Sequence, residues 1–256
     1  MKIAAFQTPL DAIGSRAIIN LLREQVVRCE LQGVQILCFP EGVLGGLADY
    51  SSAPSEIAIE QGGELQQRLA PFGSASVTTI VGFTEIDSDR RLYNSAAVFH
   101  RGKTIGIYRK LHPAINKSVY HSGCATPVFT VGGLTFGILI CRDTSFSEPA
   151  REMAAKGATA FFVPSNNGLP RKRATPELIV ESRNADVARA KENNAFVIRA
   201  DTAGQTDRLV SYGSSEIVDP SGTVRKAARQ LVSDLLIDEI PLSACAFSEV
   251  MTLKTA

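Results

Sequence analysis

The sequence predicts a layered α/β fold, with two sheets packed face to face and helices on the outside. Strand and helix patterns alternate along much of the chain, which is how an α/β layer structure reads. Hairpin signals interrupt that alternation, so the sheets are mixed and not purely parallel. The strand patterns number about twelve, too many for one flat sheet of ordinary size. With 256 residues, 45% hydrophobic and 21% charged, the chain suits a single domain over 1–256 that buries a substantial core.

Each element follows from its local pattern. "KIAAFQT" (2–8) reads as the first strand. "SRAIINLLREQVVRCELQG" (15–33) sets Ile18, Leu21, Leu22, Val26 and Cys29 at helical spacing and closes on Gly33, a fitting C-cap. "VQILCF" (34–39) is a buried strand that stops at Pro40, and 56–72 is a weaker helix interrupted by Gly62 and Gly63. Three strand patterns follow at 77–85, 92–100 and 104–110, joined by the polar turns "IDSDRR" and "RGK". "PVFTV" and "LTFGILI" pair around Gly132 and Gly133. "EPAREMAAKG" (148–157) is a short helix with Pro149 in its first turn, and 158–165 is a strand. A longer helix covers 176–194, and strands are predicted at 195–201, 211–220 and 231–240.

Composition excludes several functions. A net charge of +1 gives no footprint for nucleic acid or an acidic membrane, and the one basic run, "PRKR" (170–173), reads as a solvated loop. No apolar run approaches the length of a membrane span, and no signal-peptide core follows Met1, so a cytoplasmic location is expected. The five cysteines are widely spaced with no CxxC, which argues against a zinc or redox pair. Cys29, Cys38 and Cys245 read as small buried hydrophobes, while Cys124 sits in a polar loop.

Three polar residues stand where apolar strands end. Cys141 closes "LTFGILI", just before the chain turns polar at "RDTS". A thiol at a strand mouth is a candidate nucleophile if cationic or proton-accepting groups lie near, and otherwise a core cysteine. Glu41 follows "ILCFP"; a carboxylate there suits a general base, or a loop cap. Lys110 ends "IGIYRK", and strand alternation puts it on the face opposite Arg109. An inward ammonium could stabilise an oxyanion; an outward one would be a solvated strand end. No G-x-S-x-G is present, and of the three histidines His112, in "KLHP", is the one close to a candidate residue.

"FPEGVLGG" (39–46), "YNSAAVFHRGKTIGIYRKLHP" (93–113) and "ICRDTSFSEPAR" (140–151) together resemble the three signature blocks of the nitrilase superfamily, the carbon–nitrogen hydrolases. The resemblance implies a four-layer αββα sandwich and a Glu–Lys–Cys triad. It makes Glu41 the base, Lys110 the oxyanion-binding cation and Cys141 the nucleophile that forms a thioester, with no cofactor and no metal. It also implies that the Arg142 backbone N–H faces the same substrate oxygen as Lys110. Family members assemble as dimers or larger, partly through a C-terminal segment; here 241–256 is apolar enough to dock on a neighbour or to fold back.

The sequence departs from the family pattern at three places. Many members carry a second glutamate in the loop after the lysine, where Asn116 stands here, and no acidic residue lies between Arg109 and Arg142. The residue after the cysteine is Arg142, where many branches have an aromatic, and "CRD" in place of Cys-Trp-Glu favours an amide over a nitrile. Ser147 replaces the usual proline after Phe146. Arg142 could pair with a substrate carboxylate, with Arg171 and Arg173 as rivals, or with Asp143, Glu148 or Glu152 internally. His112, Asn116, Arg142 and Asn166, the last just past strand 158–165, are the substrate-binding candidates. The expected activity is hydrolysis of a non-peptide C–N bond in a small linear amide or N-carbamoyl compound. The alternatives are an acyltransferase, or an impaired homologue that serves as a binding or assembly subunit.

Overall fold

The computed structural model describes residues 1–15 and 17–242. It is an αββα sandwich of two mixed sheets. The first sheet holds β1 (Lys2–Pro9), β2 (Ile36–Cys38), β3 (Ile59–Glu60), β4 (Thr78–Ile86), β5 (Leu92–His100), β6 (Lys103–Arg109), β10 (Leu169–Pro170), β12 (Thr202–Gln205), β13 (Leu209–Ser211) and β16 (Asp234–Glu239). The second holds β7 (Val128–Val131), β8 (Leu134–Ile138), β9 (Ala160–Pro164), β11 (Phe196–Ala200), β14 (Glu216–Val218) and β15 (Val224–Ala227). Sheet order is β10-β13-β12-β1-β2-β4-β5-β6 in the first, with β16 added to β1 and β3 to β4, and β15-β14-β11-β9-β8-β7 in the second.

Strand alternation builds the layers. Ile3 and Ala5 of β1, Ile36 and Cys38 of β2, and Ala96 and Val98 of β5 belong to one buried cluster with Phe136, Ile138 and Phe162 of the second sheet. The residues between them, Ala4, Phe6, Leu37, Ala97 and Phe99, face the other way. There they meet helix α1 (Ile18–Leu31) through Ile18, Leu22, Val26 and Cys29, and helix α2 (Gly63–Leu69) through Leu65 and Leu69. On the far side, helix α3 (Ser147–Ala155) buries Ala150 and Met153 and helix α4 (Glu177–Asn193) buries Ala190, both against the second sheet's cluster. Fully burying a Phe, Leu or Ile side chain stabilises by about 1.5–3 kcal/mol, so each layer interface is held by many such contributions.

Most predicted elements appear within a few residues of their expected ends, and Gly33 (φ 70°) caps α1 as its position suggests. Two expectations are corrected. The helix expected over 56–72 is a short strand (β3), α2 and a 3-10 turn at Ala70–Phe72, because Gly62 takes φ 88° and breaks the run. The single strand expected over 211–220 is two strands in different sheets, β13 and β14. Gly213, at φ 83°, lets the chain cross between them, and a Cβ there would fall 2.6 Å from the Gln7 amide. The chain also changes sheets at Asp201, between β11 and β12. Among the described residues no helix is long and apolar enough to cross a membrane. Residues 243–256, with Cys245 and most of the predicted interface segment, lie outside the described residues.

Candidate active site

Glu41, Lys110 and Cys141 are brought towards one another by close backbone packing. Phe39 N–H still bonds Ile80 O (2.9 Å), then Pro40 ends the ladder and Glu41 follows. A Cβ on Gly82 of β4 would strike Pro40 O and lie 2.8 Å from Glu41 Cα, so glycine at 82 lets the Glu41 backbone pass close over the sheet. Lys110 leaves β6 with its N–H on Asn94 O (2.8 Å), and its carbonyl accepts Gly123 N–H (2.8 Å). A Cβ on Gly123 would lie 2.9 Å from the Arg109 carbonyl carbon, so this approach also needs glycine. Arg109 turns the other way and pairs with Glu85, as alternation predicts.

The carboxylate and ammonium form a buried pair, 3% and 2% exposed, with Lys110 Nζ 2.6 Å from Glu41 Oε1. Asn94 Nδ2 donates to the same oxygen at 2.7 Å, and Asn166 N–H donates to Oε2 at 3.0 Å. Burial alone would pull the Lys110 ammonium down. The neighbouring Glu41 carboxylate, with Cys141 and Asp143, outweighs it and holds Lys110 above its ordinary value. Lys110 has three N–H donors, and Glu41 is the one acceptor the described hydrogen bonds give it.

Cys141 opens a 3-10 turn (Cys141–Ser145) in a left-handed conformation, φ 48°. That conformation costs an ordinary L-residue about 1–2 kcal/mol. Asp143 holds it there: Oδ2 accepts Ile140 N–H (3.1 Å) and Tyr108 Oη–H (2.8 Å), and Oδ1 accepts His112 N–H (2.9 Å). Thr144 Oγ1 donates to Cys141 O (3.0 Å), closing the turn on itself. The sulfur lies 3.8 Å from Asn167 Oδ1. Asn166 binds the Glu41 carboxylate while its neighbour Asn167 binds the thiol, so carboxylate and sulfur are held from two consecutive residues, about 3.8 Å apart at Cα. Burial, joined by the Glu41 charge, pushes the Cys141 thiol up to about 11 against the pull of Lys110 and Arg199. At neutral pH the resting group is therefore a thiol.

A second buried charge cluster braces the site from behind. Arg199 of β11 pairs with Asp186 of α4 (2.5 and 2.6 Å) and donates to Ser165 Oγ and, at 3.1 Å, to Thr144 Oγ1. It thus ties the cysteine turn to the segment that carries Asn166. The described residues contain no cluster of three or more His, Cys, Asp or Glu able to hold a metal ion.

The model of the family described as "Carbon-nitrogen hydrolase" matches residues 2–248. The chain belongs to the carbon–nitrogen hydrolase family. Among its relatives, a Pseudomonas protegens protein named "Hydrolase in pqqF 5'region" is 31% identical over 87% of this chain and 77% of its own length. An (R)-stereoselective amidase from a Pseudomonas species is 30% identical over 74% of this chain and 67% of its own length. The chain spans about half of some larger relatives: a glutamine-dependent NAD(+) synthetase of Xylella fastidiosa is 30% identical over 98% of this chain but 47% of that protein. The nitrilase-superfamily amidase of Nesterenkonia AN1 shares the fold, with a TM-score of 0.74 at 21% identity over 94% of this chain and 90% of that one.

Within this carbon–nitrogen hydrolase the substrate-binding candidates scatter. Asn166 is taken up by protein: its N–H and Nδ2 serve Glu41, and its Oδ1 accepts Thr202 Oγ1 (3.1 Å) and Gly168 N–H (3.1 Å), so it positions the carboxylate. Asn116 is exposed, and no described hydrogen bond involves it. The His112 ring stacks on Phe146 at 3.8 Å, and its backbone, not its ring, serves the cysteine turn. Arg142 is exposed, with its guanidinium 3.4 Å from Ala114 O and 5.9 Å from the Phe146 ring. The alternative of an internal ion pair is corrected: among the described residues Arg142 pairs with none of Asp143, Glu148 and Glu152; Asp143 accepts from Ile140, Tyr108 and His112, and Glu152 Oε2 accepts Thr126 Oγ1 (2.7 Å). Arg171 bonds Thr206 O (2.9 Å), whereas Arg173 makes no ion pair among the described residues. The sequence does not single out Asn94, Asn167, Arg199 or Asp201, and it offers Asp143 only as a partner for Arg142. Asn94 had a signal, since it shares strand parity with the inter-sheet residues Ala96 and Val98.

Proposed function

We propose that this hydrolase is an amidase acting on small linear carboxamides or N-carbamoyl compounds, with Glu41, Lys110 and Cys141 as its catalytic residues. The observation that carries the reading is a buried ammonium with one described acceptor, beside a thiol and a carboxylate. Its remaining donors suit a substrate carbonyl oxygen. They are worth most once that oxygen is negative, on the order of 3 kcal/mol per donor in the barrier.

The reading implies these steps. Glu41 Oε2 has spare acceptor capacity beside the Asn166 bond and takes the thiol proton. The sulfur forms a bond to the carbonyl carbon, and the oxygen becomes an oxyanion facing Lys110. The C–N bond then breaks, and the nitrogen leaves as ammonia or amine with the proton from Glu41. Water next gives a proton to Glu41 and attacks the thioester, and the C–S bond breaks as the sulfur regains the proton. Asn94 and Asn166 hold Glu41, and the reading assigns no step to a carboxylate from the loop after Lys110.

The preference for amides rests on Arg142 following the nucleophile and is supported by the amidase relative. Ammonia release from a panel of small carboxamides, N-carbamoyl compounds and nitriles tests it. Release is expected from the first two classes and not from nitriles, with a loss of about 10³-fold or more in Cys141→Ala. Turnover that survives in Cys141→Ala would overturn the reading. Assembly as a homodimer or larger belongs to the same proposal, and sedimentation of the full chain against one ending at residue 242 checks it.

A further inference from the structure

We propose that Asn167 is a positioning residue for the nucleophile, its amide locked by Asp201 so that only the oxygen faces the sulfur. The inference rests on the reading of Cys141 as nucleophile. An amide side chain can present either end, and the ends have opposite effects on a thiol: oxygen accepts S–H, whereas NH₂ would stabilise a thiolate. Here the NH₂ end is spent. Asn167 Nδ2 donates to Asp201 Oδ2 (2.9 Å), with Ser214 Oγ at 3.1 Å and Ser182 Oγ at 3.5 Å. The Asn167 backbone N–H takes Asp201 Oδ1 (3.0 Å), which fixes the residue at a second point.

Asp201 itself is fully buried and over-determined. Ser214 N–H and Oγ–H donate to Oδ2 (3.0 and 2.7 Å), and Thr202 N–H donates to Oδ1 (2.8 Å). It sits where the chain passes from β11 to β12, a point both sheets hold in place. A carboxylate there only accepts, so it cannot satisfy a flipped amide. The lock is therefore chemical as well as steric. Its effect is to keep the sulfur in one rotamer and the proton on it until substrate arrives. The charged groups acting on the sulfur are Glu41 from the loop after β2, Lys110 from the end of β6, and Arg199 and Asp201 from β11 and its end. Asp143 shares the cysteine's turn, and the Cys141 charge in turn acts on the Tyr50 hydroxyl.

Two variants and a control test this. Asn167→Leu removes the acceptor, and Asp201→Asn removes the lock and lets an NH₂ face the sulfur. Ser221→Ala, in the exposed turn at Asp219 and outside this cluster, is the control. Alkylation of Cys141 by iodoacetamide, in which sulfur displaces iodide and the thiol proton passes to solvent, is followed by peptide-resolved mass spectrometry from pH 7 to pH 10. Both test variants should alkylate about tenfold faster at pH 8, as one unit of thiol acidification gives. Their amide turnover should fall, mainly in kcat. Ser221→Ala should keep the wild-type profile. Asp201→Asn also removes a charge that acts on the sulfur, so Asn167→Leu decides: unchanged or slower alkylation in it overturns the proposal, as does a rise in KM alone, which would make Asn167 a substrate contact. Persisting turnover in Cys141→Ala is a separate result: it removes the functional reading, while the labelling profiles still decide the role of Asn167.

Discussion

The Glu41–Lys110 and Asp186–Arg199 pairs are equally buried, yet they differ in how much hydrogen-bonding capacity they leave over. Arg199 spends four of its N–H groups on Asp186, Ser165 and Thr144. Lys110 spends one on Glu41 among the described hydrogen bonds. Breaking a buried pair is costly in either case, because a desolvated charge is left behind. Only capacity left beside a reactive atom can be turned on a substrate. Burial of charge therefore does not mark the site, whereas unspent donors next to a strained cysteine do. The saturated pair serves as a brace that holds the turn bearing Cys141.

If the two pairs divide the work in this way, their variants should separate activity from stability. The largest effect is expected for Lys110→Met, a loss of about 10³-fold or more in kcat/KM for carboxamides, measured with folding checked by circular dichroism. Asp186→Ala leaves Arg199 buried and unpaired, and should cost about 3–5 kcal/mol in denaturant unfolding. A Lys110→Met enzyme that keeps its rate would end the division.

Glu216 sharpens the comparison, since it is buried beside Asp186 with Oε1 unpartnered and Oε2 on Arg183 at 2.7 Å. Burial, with the Asp186 charge adding, pushes its carboxyl up from 4.5 to about 7. The folded state then holds a proton that the unfolded chain has lost. Its contribution is full below about pH 4.5 and is lost as pH rises through about 7. Glu216→Gln should flatten that part of the stability–pH curve, and denaturant midpoints measured from pH 4 to pH 8 check it. The smallest effect concerns backbone strain. Cys141→Gly should be more stable than Cys141→Ala by about 1 kcal/mol, because glycine accepts a positive φ. Equal midpoints would mean that the turn stores no strain at Cys141.

The fold and the three candidate residues at strand mouths were legible because their signals are local. The alternation of Arg109 and Lys110, the arrest at Pro40, and an apolar run ending in Cys141 each point to a strand mouth. Three quoted blocks then fixed the family. What stayed hidden depends on chain segments meeting in space. Asn166 looked like a substrate contact and is consumed by Glu41, because strand β9 ends beside the loop after β2. Asn167 and Asp201 are far apart in sequence and meet only because the chain changes sheets at Asp201. The 211–220 strand was misread for a related reason: its apolar pattern is continuous, while Gly213 sends its two halves to different sheets.

Trapping the covalent intermediate tests the central claim most directly. The enzyme is mixed with a turned-over carboxamide, quenched in acid within the first turnovers, digested and weighed. The peptide bearing Cys141 should carry the substrate's acyl group, with one ammonia released per group bound. No such adduct should form in Cys141→Ala. An acyl group found elsewhere, or ammonia released at the wild-type rate without Cys141, would contradict it.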